Sequence, residues 1–410
     1  MKKNVRIAGL AVAASVSLVL SACATSSEGG GGSGSSGDTI KIGVVLPYTG
    51  VQAAIARFEG IGAEVAAKEI NDAGGIDGKK IEIVKADDQL NTARSATVMR
   101  DLNSEGVKLA MGGQTTDLCR SAAEAANRFD IMFLGAHCTS STLVDPPVTP
   151  NYWMTGQRDV DLTKANGAAL AKQFPDVKTW DVFAYDQEVT RNFWTQTSDE
   201  LAKVSGSPVK TNKELYVPVG ATDLRNQLST LASSQKGDKA ERGLFLGVYG
   251  AGTTSFIQQA RPLGLLDDYA VIAQTGVYWS TAVSLKGTAP SIYDVHEYFW
   301  SCQDNPENTK FVEEFEAAAG EKPDTGAYQG YVSMKMMAAA IEKAGSADSA
   351  KVQKAMAGLS IDTPAGVKMT MDGDTHHADG AITTASLFGD ESAPETVGVK
   401  DCKTVLASDL

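Results

Sequence analysis

The sequence of 410 residues is poor in positive charge and in long hydrophobic segments. It has 37 Lys and Arg residues against 50 Asp and Glu residues, which gives a net charge of −13. Nucleic-acid binding requires a basic surface, so we expect no nucleic-acid partner. The one run apolar enough to enter a membrane lies at the N-terminus, and this excludes a multi-span transporter or channel.

Motifs for enzymatic chemistry are also missing. The chain contains neither a Gly-x-Ser-x-Gly elbow nor a His-Glu-x-x-His helix, and its 4 histidines leave little general-base capacity. Residues 250–255 follow a predicted strand as a dinucleotide-binding loop would, but the third glycine is absent. The acids and histidines at 371–377 contain an Asp-Gly pair, which indicates a turn rather than a metal site. We therefore expect no enzyme activity, no cofactor and no metal.

The N-terminus has the composition of an export signal. Three basic residues precede an apolar segment at 7–20, which is shorter than the ~20 residues that span a bilayer. The segment leads into Leu-Ser-Ala-Cys, which resembles a bacterial lipobox with Cys23 as the lipidated residue. Residues 1–22 would then be the signal peptide, and residues 23–37 the lipidated cysteine and a Gly/Ser tether. The protein would be anchored to the extracytoplasmic face of the cell membrane; a plain secretory signal is the alternative.

Four cysteines follow this segment. An exported protein meets an oxidising compartment, and four cysteines allow two disulfides in three pairings. We prefer the pairing of Cys119 with Cys138 and of Cys302 with Cys402, and four buried free thiols are the alternative. No Cys-x-x-Cys pair is present, so the sequence supports neither a zinc ribbon nor a redox motif.

Strand-like and helix-like segments alternate from Thr39 onwards. Residues 40–46 form a β-branched run, and the helical period of 59–71 ends at an Asn-Asp-Ala-Gly-Gly turn. The alternation continues to Leu134 and restarts at Asp161. A βαβα series predicts a parallel sheet covered by helices, and two such series predict two α/β lobes. Ligands of such folds bind in the crevice at the carboxyl ends of the strands.

Several segments match a known family in the same order along the chain. They are KIGVVLPYTG at 41–50, GAEVAAKEINDAGGIDGKKIEIVKADDQ at 62–89, MGGQTT at 111–116, LFLGVYGAGTTSFIQQARPLGL at 244–265 and TGAYQGY at 325–331. On these segments the sequence resembles the branched-chain amino-acid (leucine/isoleucine/valine) binding proteins, the receptors of ABC importers. The resemblance covers nearly all of 39–400, and INDAGGIDGKKIEIV is its most specific part.

The resemblance implies a type I periplasmic-binding fold, in which two Rossmann-like α/β lobes are joined by three crossing segments. Lobe 1 would comprise residues 38–155 and 300–366, and lobe 2 residues 156–299 and 367–410. A small-molecule solute would bind between the lobes and favour the closed form. The permease and ATPase of an ABC importer would be the protein partners. Presentation of the ligand to a signalling partner in the membrane is the alternative.

The resemblance also implies ligand-binding residues in lobe 1. Gln114, Thr115 and Thr116 follow a predicted strand and precede a helix, where amides and hydroxyls can bind an anion. The family uses a hydroxyl at the position of Thr116 for the ligand carboxylate. After the next strand, His137 and Thr139 occupy contact positions of the family. The alternatives are that Thr116 only caps the helix, that Thr139 only caps a turn, and that His137 is a packed or solvated residue.

Three candidates come from lobe 2. Tyr249 ends a predicted strand and matches a ligand-contacting tyrosine of the family; a core aromatic is the alternative. Thr275 stands where amino-acid binders carry the glutamate that pairs with the ligand ammonium, and Glu188 stands where they often carry tyrosine. Breaking a buried charge pair costs roughly 3–5 kcal/mol, so an α-amino acid would need another anion, from Glu188 or Asp186. Otherwise the solute lacks an ammonium group, as an aromatic or aliphatic acid or an amide does.

Two further features concern the size of the solute. Residues 51–55 offer small and aliphatic side chains where relatives can carry an aromatic one, and this predicts room for a bulkier solute. Tyr48, Trp153, Tyr278 and Trp279 are aromatic candidates for the cavity wall. Packing in the core or at the surface is an equal alternative for each of them.

Overall fold

The computed structural model describes residues 39–50, 52–235 and 237–410. The predicted signal peptide, the predicted lipidation site Cys23 and the tether lie outside the described residues. Within the described ranges, no helix combines the length and the hydrophobicity of a membrane span.

The first sheet consists of five parallel strands connected by helices. The strands are β1 Thr39–Leu46, β2 Lys80–Asp87, β3 Leu109–Gly112, β4 Met132–Gly135 and β5 Tyr152–Met154. The helices are α1 Ala53–Asp72, α2 Thr92–Ser104 and α3 Thr116–Arg128. The spatial order is β2-β1-β3-β4-β5. Every residue of β3 and β4 is buried, as expected for central strands of a sheet covered on both faces.

The second sheet begins with five more parallel strands. These strands are β6 Thr179–Tyr185, β7 Lys210–Val217, β8 Arg242–Gly247, β9 Val271–Thr275 and β10 Ile292–His296. The helices around them are α4 Asp159–Gln173, α5 Glu188–Ser205, α6 Arg225–Ser233, α7 Ala251–Ala260 and α8 Trp279–Ser284. Each helix returns the chain to the start of the next strand, which is why the pairing stays parallel.

The chain then returns to the first lobe before it completes the second sheet. The returning elements are α9 Pro306–Ala319, α10 Thr325–Ala344, α11 Ser349–Met356 and the short strands β11 Ser360–Asp362, β12 Lys368–Met371 and β13 Ala378–Asp379. The last strands are β14 Ala381–Gly389 and β15 Val397–Leu406. β14 and β15 join antiparallel, so the order of the second sheet is β15-β14-β10-β9-β8-β6-β7.

The position of the last crossing follows from side-chain burial. Met369, Met371 and Ala378 lie in the same buried cluster as Leu134 and Phe311, so β12 and β13 belong with the first lobe by packing. The chain therefore crosses near residue 380, between β13 and β14, and not at the boundary of 366 expected from the resemblance. Burial of the two methionines beneath the lobe 1 helices keeps this segment on the first lobe.

The polar loop between β12 and β13 is a tight turn. Asp372 Oδ1 accepts hydrogen bonds from the N–H groups of Asp374 and Thr375, both at 2.8 Å. His376 stacks on Trp153 with ring centroids 3.8 Å apart. The acids and histidines at 371–377 thus form the predicted turn, and the turn docks on the end of the first sheet.

Helices α1 and α10 approach each other more closely than side chains normally allow. A Cβ atom on Gly62 would lie 2.0 Å from the Ala327 carbonyl oxygen, and one on Gly330 would lie 2.0 Å from that of Glu59. Only glycine permits this backbone contact. The close approach covers the first half of α1 and excludes water from the Glu59 side chain, which is 0% exposed.

A buried polar cluster connects the three segments in which the chain crosses between the lobes, at Gln157, at Glu297 and near residue 380. Gln157 in the first crossing donates its N–H to Glu297 Oε1 in the second at 2.9 Å. Its Nε2 donates to the carbonyl of Ala378, beside the third, at 3.1 Å. Gln329 of α10 also donates to Glu297 Oε1, at 2.7 Å. Burial raises the pKa of Glu297 to about 7, so this acid changes charge near neutral pH.

The structure contains the two disulfides that the sequence analysis prefers. Cys119 in α3 is bonded to Cys138, which follows β4, and Cys302 is bonded to Cys402 in β15. The first bond joins helix α3 to the loop after β4, and these two segments carry lobe 1 candidates for ligand binding. It therefore holds Thr116 and His137 in a fixed relation to one another.

Candidate functional site

A cavity of about 730 Å³ lies between the carboxyl ends of the two sheets. Its volume lies within the range of known small-molecule sites. Side chains of both lobes form its wall. All eight predicted ligand-binding residues are part of that wall: Gln114, Thr115, Thr116, His137, Thr139, Glu188, Tyr249 and Thr275. The structure brings these residues together, and their contact with a solute stays a prediction.

The N-terminus of α3 opens onto this cavity. Thr115 caps the helix, because its hydroxyl accepts from the N–H of Leu118 at 3.5 Å. Capping is therefore the role of Thr115 and not of Thr116, the first residue of the helix. The Thr116 hydroxyl makes no hydrogen bond to any described residue. Together with the unpaired N–H groups of the first helical turn, it can bind an anion.

A buried carboxyl group lies behind this edge of the cavity. Gln114 Nε2 donates to Glu59 Oε2 at 2.7 Å, and His137 Nδ1 lies 3.7 Å from the same oxygen, an ion-pair distance. Burial raises the pKa of Glu59. Burial lowers the pKa of His137, but the neighbouring carboxyl groups, with Glu59 the strongest, together outweigh this and raise the pKa overall. The two groups are close enough for the charge of each to affect the titration of the other.

Two polar contacts join the lobes beside the cavity. His137 Nε2 and the Tyr278 hydroxyl are 3.0 Å apart, although they belong to different lobes. The backbone N–H of Asp159 donates to the Thr139 carbonyl at 2.6 Å, while Asp159 Oδ1 accepts from the N–H of Ser141 at 3.0 Å. Thr139 lines the cavity, and Ser140 rather than Thr139 caps the turn that follows.

The lobe 2 wall contains neutral hydrogen-bonding groups beside the acids Asp159 and Glu188. The Tyr249 hydroxyl donates to Gln187 Oε1 at 2.9 Å, and the Thr275 hydroxyl accepts from Asn166 Nδ2 at 3.1 Å. Both bonds lie within lobe 2, so they orient the two side chains without a partner from lobe 1. Glu188 is the first residue of α5 and is exposed at the cavity wall.

Of the remaining residues that the sequence suggested for the cavity, one lines it and the others do not. Tyr278 lines the cavity, whereas Trp153 and Trp279 are buried in the cores of the two lobes. Tyr48 packs against the first core and Asp186 pairs with Arg191 on the surface, so neither belongs to the wall. Of the two acids considered as ammonium partners, the structure thus leaves only Glu188 at the cavity.

Glu59, which lies behind the cavity wall, was not predicted from the sequence as a functional residue. A signal was present, because Ala56, Glu59, Ala63 and Ala66 follow one another at spacings of three or four on one helical face. All four are buried, so an acid interrupts an apolar stripe. The predicted helix began at Glu59, so Ala56 lay outside it and the buried stripe was not recognised.

Comparisons with known proteins agree with this architecture. The sequence profile of the Periplasmic binding protein family matches residues 39–391. The chain belongs to this family. Leu/Ile/Val-binding protein homolog 1 of Brucella melitensis is 26% identical to it over 323 residues, which cover 77% of the chain and 82% of that protein. The leucine-, isoleucine-, valine-, threonine-, and alanine-binding protein of Pseudomonas aeruginosa is 23% identical over 337 residues, with coverages of 81% and 85%.

Solved structures share the fold of this periplasmic binding protein. A solute binding protein of an ABC transporter from Rhodopseudomonas palustris, in complex with 3,4-dihydroxybenzoic acid, superposes with a TM-score of 0.78 and 19% identity. That alignment covers 90% of this chain and 98% of the other. The Streptococcus pneumoniae substrate binding protein LivJ, in complex with isoleucine, gives a TM-score of 0.75 and 20% identity, with coverages of 90% and 99%. The predicted two-lobed α/β fold is confirmed, and the matched relatives are binding proteins rather than enzymes.

Proposed function

We propose that this periplasmic binding protein is a lipid-anchored receptor that binds a small solute between its lobes and delivers it to an ABC importer. The solute is a branched-chain-type amino acid or a related organic acid or amide. One observation carries the proposal: a single cavity of about 730 Å³ receives a helix N-terminus from lobe 1 and hydroxyl groups from lobe 2. Such a site offers polar contacts in fixed directions and contains no arrangement for bond making or breaking.

The geometry supports useful affinity. A carboxylate at the α3 N-terminus would receive N–H groups and the Thr116 hydroxyl, at ~1.5–3 kcal/mol for each hydrogen bond to a charged group. Apolar area adds ~25 cal/mol per Å² buried. A micromolar dissociation constant needs about 8 kcal/mol, which a few such contacts exceed before the costs of association.

The proposed function requires a conformational change in which the two lobes close on the solute. The wall residues sit on two lobes that three crossing segments connect, so a solute touching both walls interacts more strongly with the closed form. The cross-lobe contact of His137 with Tyr278 supports closure, because it forms only when the two walls face each other closely. A closed, loaded receptor would be the form that a permease and its ATPase recognise.

Ligand-dependent thermal shift tests the receptor function. The panel is L-leucine, L-isoleucine, benzoate, 4-hydroxybenzoate, 4-methylpentanoate and benzamide, each at millimolar concentration. A solute at about 100 times its Kd stabilises the folded state by about 2.7 kcal/mol, which is a shift of several degrees in Tm. We expect at least one member to raise Tm. No shift with any member would contradict the receptor proposal for these solute classes.

The lipid anchor is tested separately. Expression with a radiolabelled palmitate precursor should label the wild-type chain, and Cys23→Ala should remove the label and release the protein from the membrane fraction. Cys302→Ala, in the folded part of the chain, is the matched control and should remain labelled. Equal membrane association of Cys23→Ala and wild type would contradict lipidation at Cys23.

A further inference from the structure

A chain of three polar side chains runs from the core of lobe 1 to lobe 2. Glu59 Oε2 lies 3.7 Å from His137 Nδ1, and His137 Nε2 lies 3.0 Å from the Tyr278 hydroxyl. Glu59 is fully buried, His137 is 9% exposed, and Tyr278 faces the cavity from lobe 2. The histidine is therefore held between an acid that solvent does not reach and a hydroxyl that a solute can reach.

The surroundings of His137 are acidic. The titratable side chains that face it from the packed elements are Glu59 of α1, Glu297 of the second crossing, Asp324 at the start of α10, His296 of β10 and Tyr278. Burial lowers the pKa of His296 to about 3, so this second histidine is neutral. Burial lowers the pKa of His137 as well, but the three carboxyl groups raise it overall, Glu59 most strongly. The local charges thus favour the imidazolium form of His137.

The protonation of His137 decides which way the Tyr278 hydroxyl points. A hydroxyl has one hydrogen, and a ring nitrogen either carries a hydrogen or accepts one. When Nε2 is protonated it donates to the Tyr278 oxygen, and the hydroxyl hydrogen is free to donate to a solute. When Nε2 is unprotonated it accepts that hydrogen, and the hydroxyl presents only lone pairs to the cavity. The protonation of His137 Nε2 therefore decides whether the Tyr278 hydroxyl can donate a hydrogen bond to a solute or can only accept one.

We propose that Glu59 and His137 are positioning residues that make Tyr278 a hydrogen-bond donor to the solute, so that the site selects organic acids that present a carboxylate oxygen there. This inference rests on the proposed receptor function and names its solute class. It agrees with Thr275, which offers no negative charge to an ammonium group. While both groups are ionised, Glu59 and His137 together carry no net charge, so the selection in that state comes from hydrogen-bond direction.

Isosteric acid and amide pairs provide the sharpest test. We use benzoate with benzamide, and 4-methylpentanoate, which is leucine without its ammonium group, with 4-methylpentanamide. Isothermal titration at pH 6 to 9.5 yields the ratio of amide Kd to acid Kd, in which general effects of pH on the fold cancel. We expect the acid to bind at least about tenfold more tightly at pH 6, as one hydrogen bond to a charged group predicts. The ratio should fall as the pH rises through the pKa of His137.

Variants locate the effect in the chain of three. Tyr278→Phe keeps the ring and should abolish the pH dependence of the ratio. Glu59→Gln keeps an acceptor for Gln114 and should move the fall in the ratio to lower pH. Glu64→Gln is the matched control, since it removes an acid of the same helix whose partner is Lys85 on the surface. It should leave the ratio and its pH dependence as in wild type.

A measurement without solute keeps the inference testable if a variant fails to fold. Only 4 histidines are present, so their nitrogen NMR signals after selective labelling can be assigned by single substitutions. We expect one buried imidazole to remain doubly protonated at neutral pH, and its signal to be absent in His137→Gln. Its titration should shift to lower pH in Glu59→Gln.

The outcomes separate the two proposals. A ratio that is constant from pH 6 to 9.5, a Tyr278→Phe variant with the wild-type profile, or an unprotonated His137 at pH 6 would each overturn the inference. Binding of L-leucine together with failure of all acids would overturn the inference and leave the receptor function standing. Failure of every probe, the amino acids included, would count against both.

Discussion

The two walls of the cavity differ in how they hold charge. The lobe 1 wall has a helix N-terminus and, behind it, the Glu59–His137 pair shielded from solvent. The lobe 2 wall presents hydroxyl groups whose partners, Gln187 and Asn166, belong to the same lobe. Its two acids are Glu188, which is exposed, and Asp159, whose Oδ1 is occupied by the N–H groups of Ser141 and Val160. Lobe 1 is therefore organised to recognise charge, and lobe 2 to recognise shape and neutral polar groups.

This difference has a physical origin. Charges buried in a medium of low polarity interact strongly, so the few groups behind the lobe 1 wall dominate its electrostatics. Exposed or neutral groups interact weakly and can be exchanged with little effect on the fold. The comparison predicts that a new negative charge on the lobe 1 wall abolishes binding of an acid, whereas a new negative charge on the lobe 2 wall changes the preferred solute.

The largest effect is expected from Thr116→Asp. The new carboxylate would lie at the first turn of α3, where the helix dipole tolerates it and the fold stays intact. It would occupy the anion site and repel a solute carboxylate, so we expect at least a 100-fold loss of affinity, corresponding to about 2.7 kcal/mol or more. Isothermal titration with the best-binding acid measures the loss.

The control for this change is Thr92→Asp, at the first residue of α2 and exposed on the surface of the same lobe. It should bind the acid as wild type does. Unchanged binding by Thr116→Asp would show that the α3 N-terminus is not the anion site, and the distinction between the walls would be lost.

Glu297 offers a buried acid that belongs to neither wall. Its pKa of about 7 in the folded state lies above its ordinary value of 4.5. The folded state therefore binds more protons between these values, and stability falls as the pH rises through this interval. By ~1.36 kcal/mol per pH unit, the loss is about 3 kcal/mol. Glu297→Gln, which keeps the acceptor for the Gln157 N–H, should remove this loss.

Urea unfolding at pH 4.5 and pH 8 measures the effect. The wild type should lose stability from pH 4.5 to pH 8 and Glu297→Gln should not. The free energy of unfolding of the variant minus that of the wild type should therefore be larger at pH 8 than at pH 4.5. Glu64→Gln, an exposed acid of α1, should follow the wild-type curve. Parallel curves for Glu297→Gln and wild type would contradict the raised pKa of Glu297.

A moderate effect is expected when lobe 2 receives a charge. Thr275→Glu places a carboxylate where an ammonium group could reach it, beside the amide of Asn166 that already donates to residue 275. We expect L-leucine to bind at least about tenfold more tightly, because a charge-assisted hydrogen bond contributes ~1.5–3 kcal/mol. Thr275→Gln has the same shape without the charge and should give no gain. Equal titrations of leucine into the two variants would exclude this role for position 275.

The smallest effect is expected from Tyr249→Phe. Its hydroxyl is bonded within lobe 2 to Gln187, and its ring packs edge-on against Tyr185, so the substitution leaves the ring in place. Because the hydroxyl hydrogen is already donated to Gln187, we expect a loss of affinity of about two- to tenfold only for a solute whose N–H or O–H group donates to this oxygen, the size of one neutral hydrogen bond. Tyr216→Phe on β7, outside the cavity, is the control for titration. A loss as large as that of Thr116→Asp would mean that the two walls contribute equally.

The parallel part of the fold was accessible from sequence because its signals are local. The predicted strand at 40–46 and the predicted helix at 93–105 lie within one residue of β1 and α2. The last antiparallel strands were not predicted, because β14 depends on pairing with the distant β10. The boundary expected at 366 lies too early for the observed packing, since the burial of Met369 and Met371 depends on helices far away in the chain.

The site shows the same limit. Residues that directly follow strands were placed at the cavity edge, because the end of a parallel strand is a local feature. Glu59 was missed because its burial results from the contact with Gly330 on α10, far along the chain. The contact of His137 with Tyr278 likewise joins two lobes and leaves no local pattern.

A crystal structure of the protein with its best-binding acid tests the central claim most directly. We predict the solute inside the cavity between the lobes, with its carboxylate within hydrogen-bond distance of the Thr116 hydroxyl and with side chains of both walls in contact. A solute bound to one lobe alone, or outside the cavity, would contradict the account.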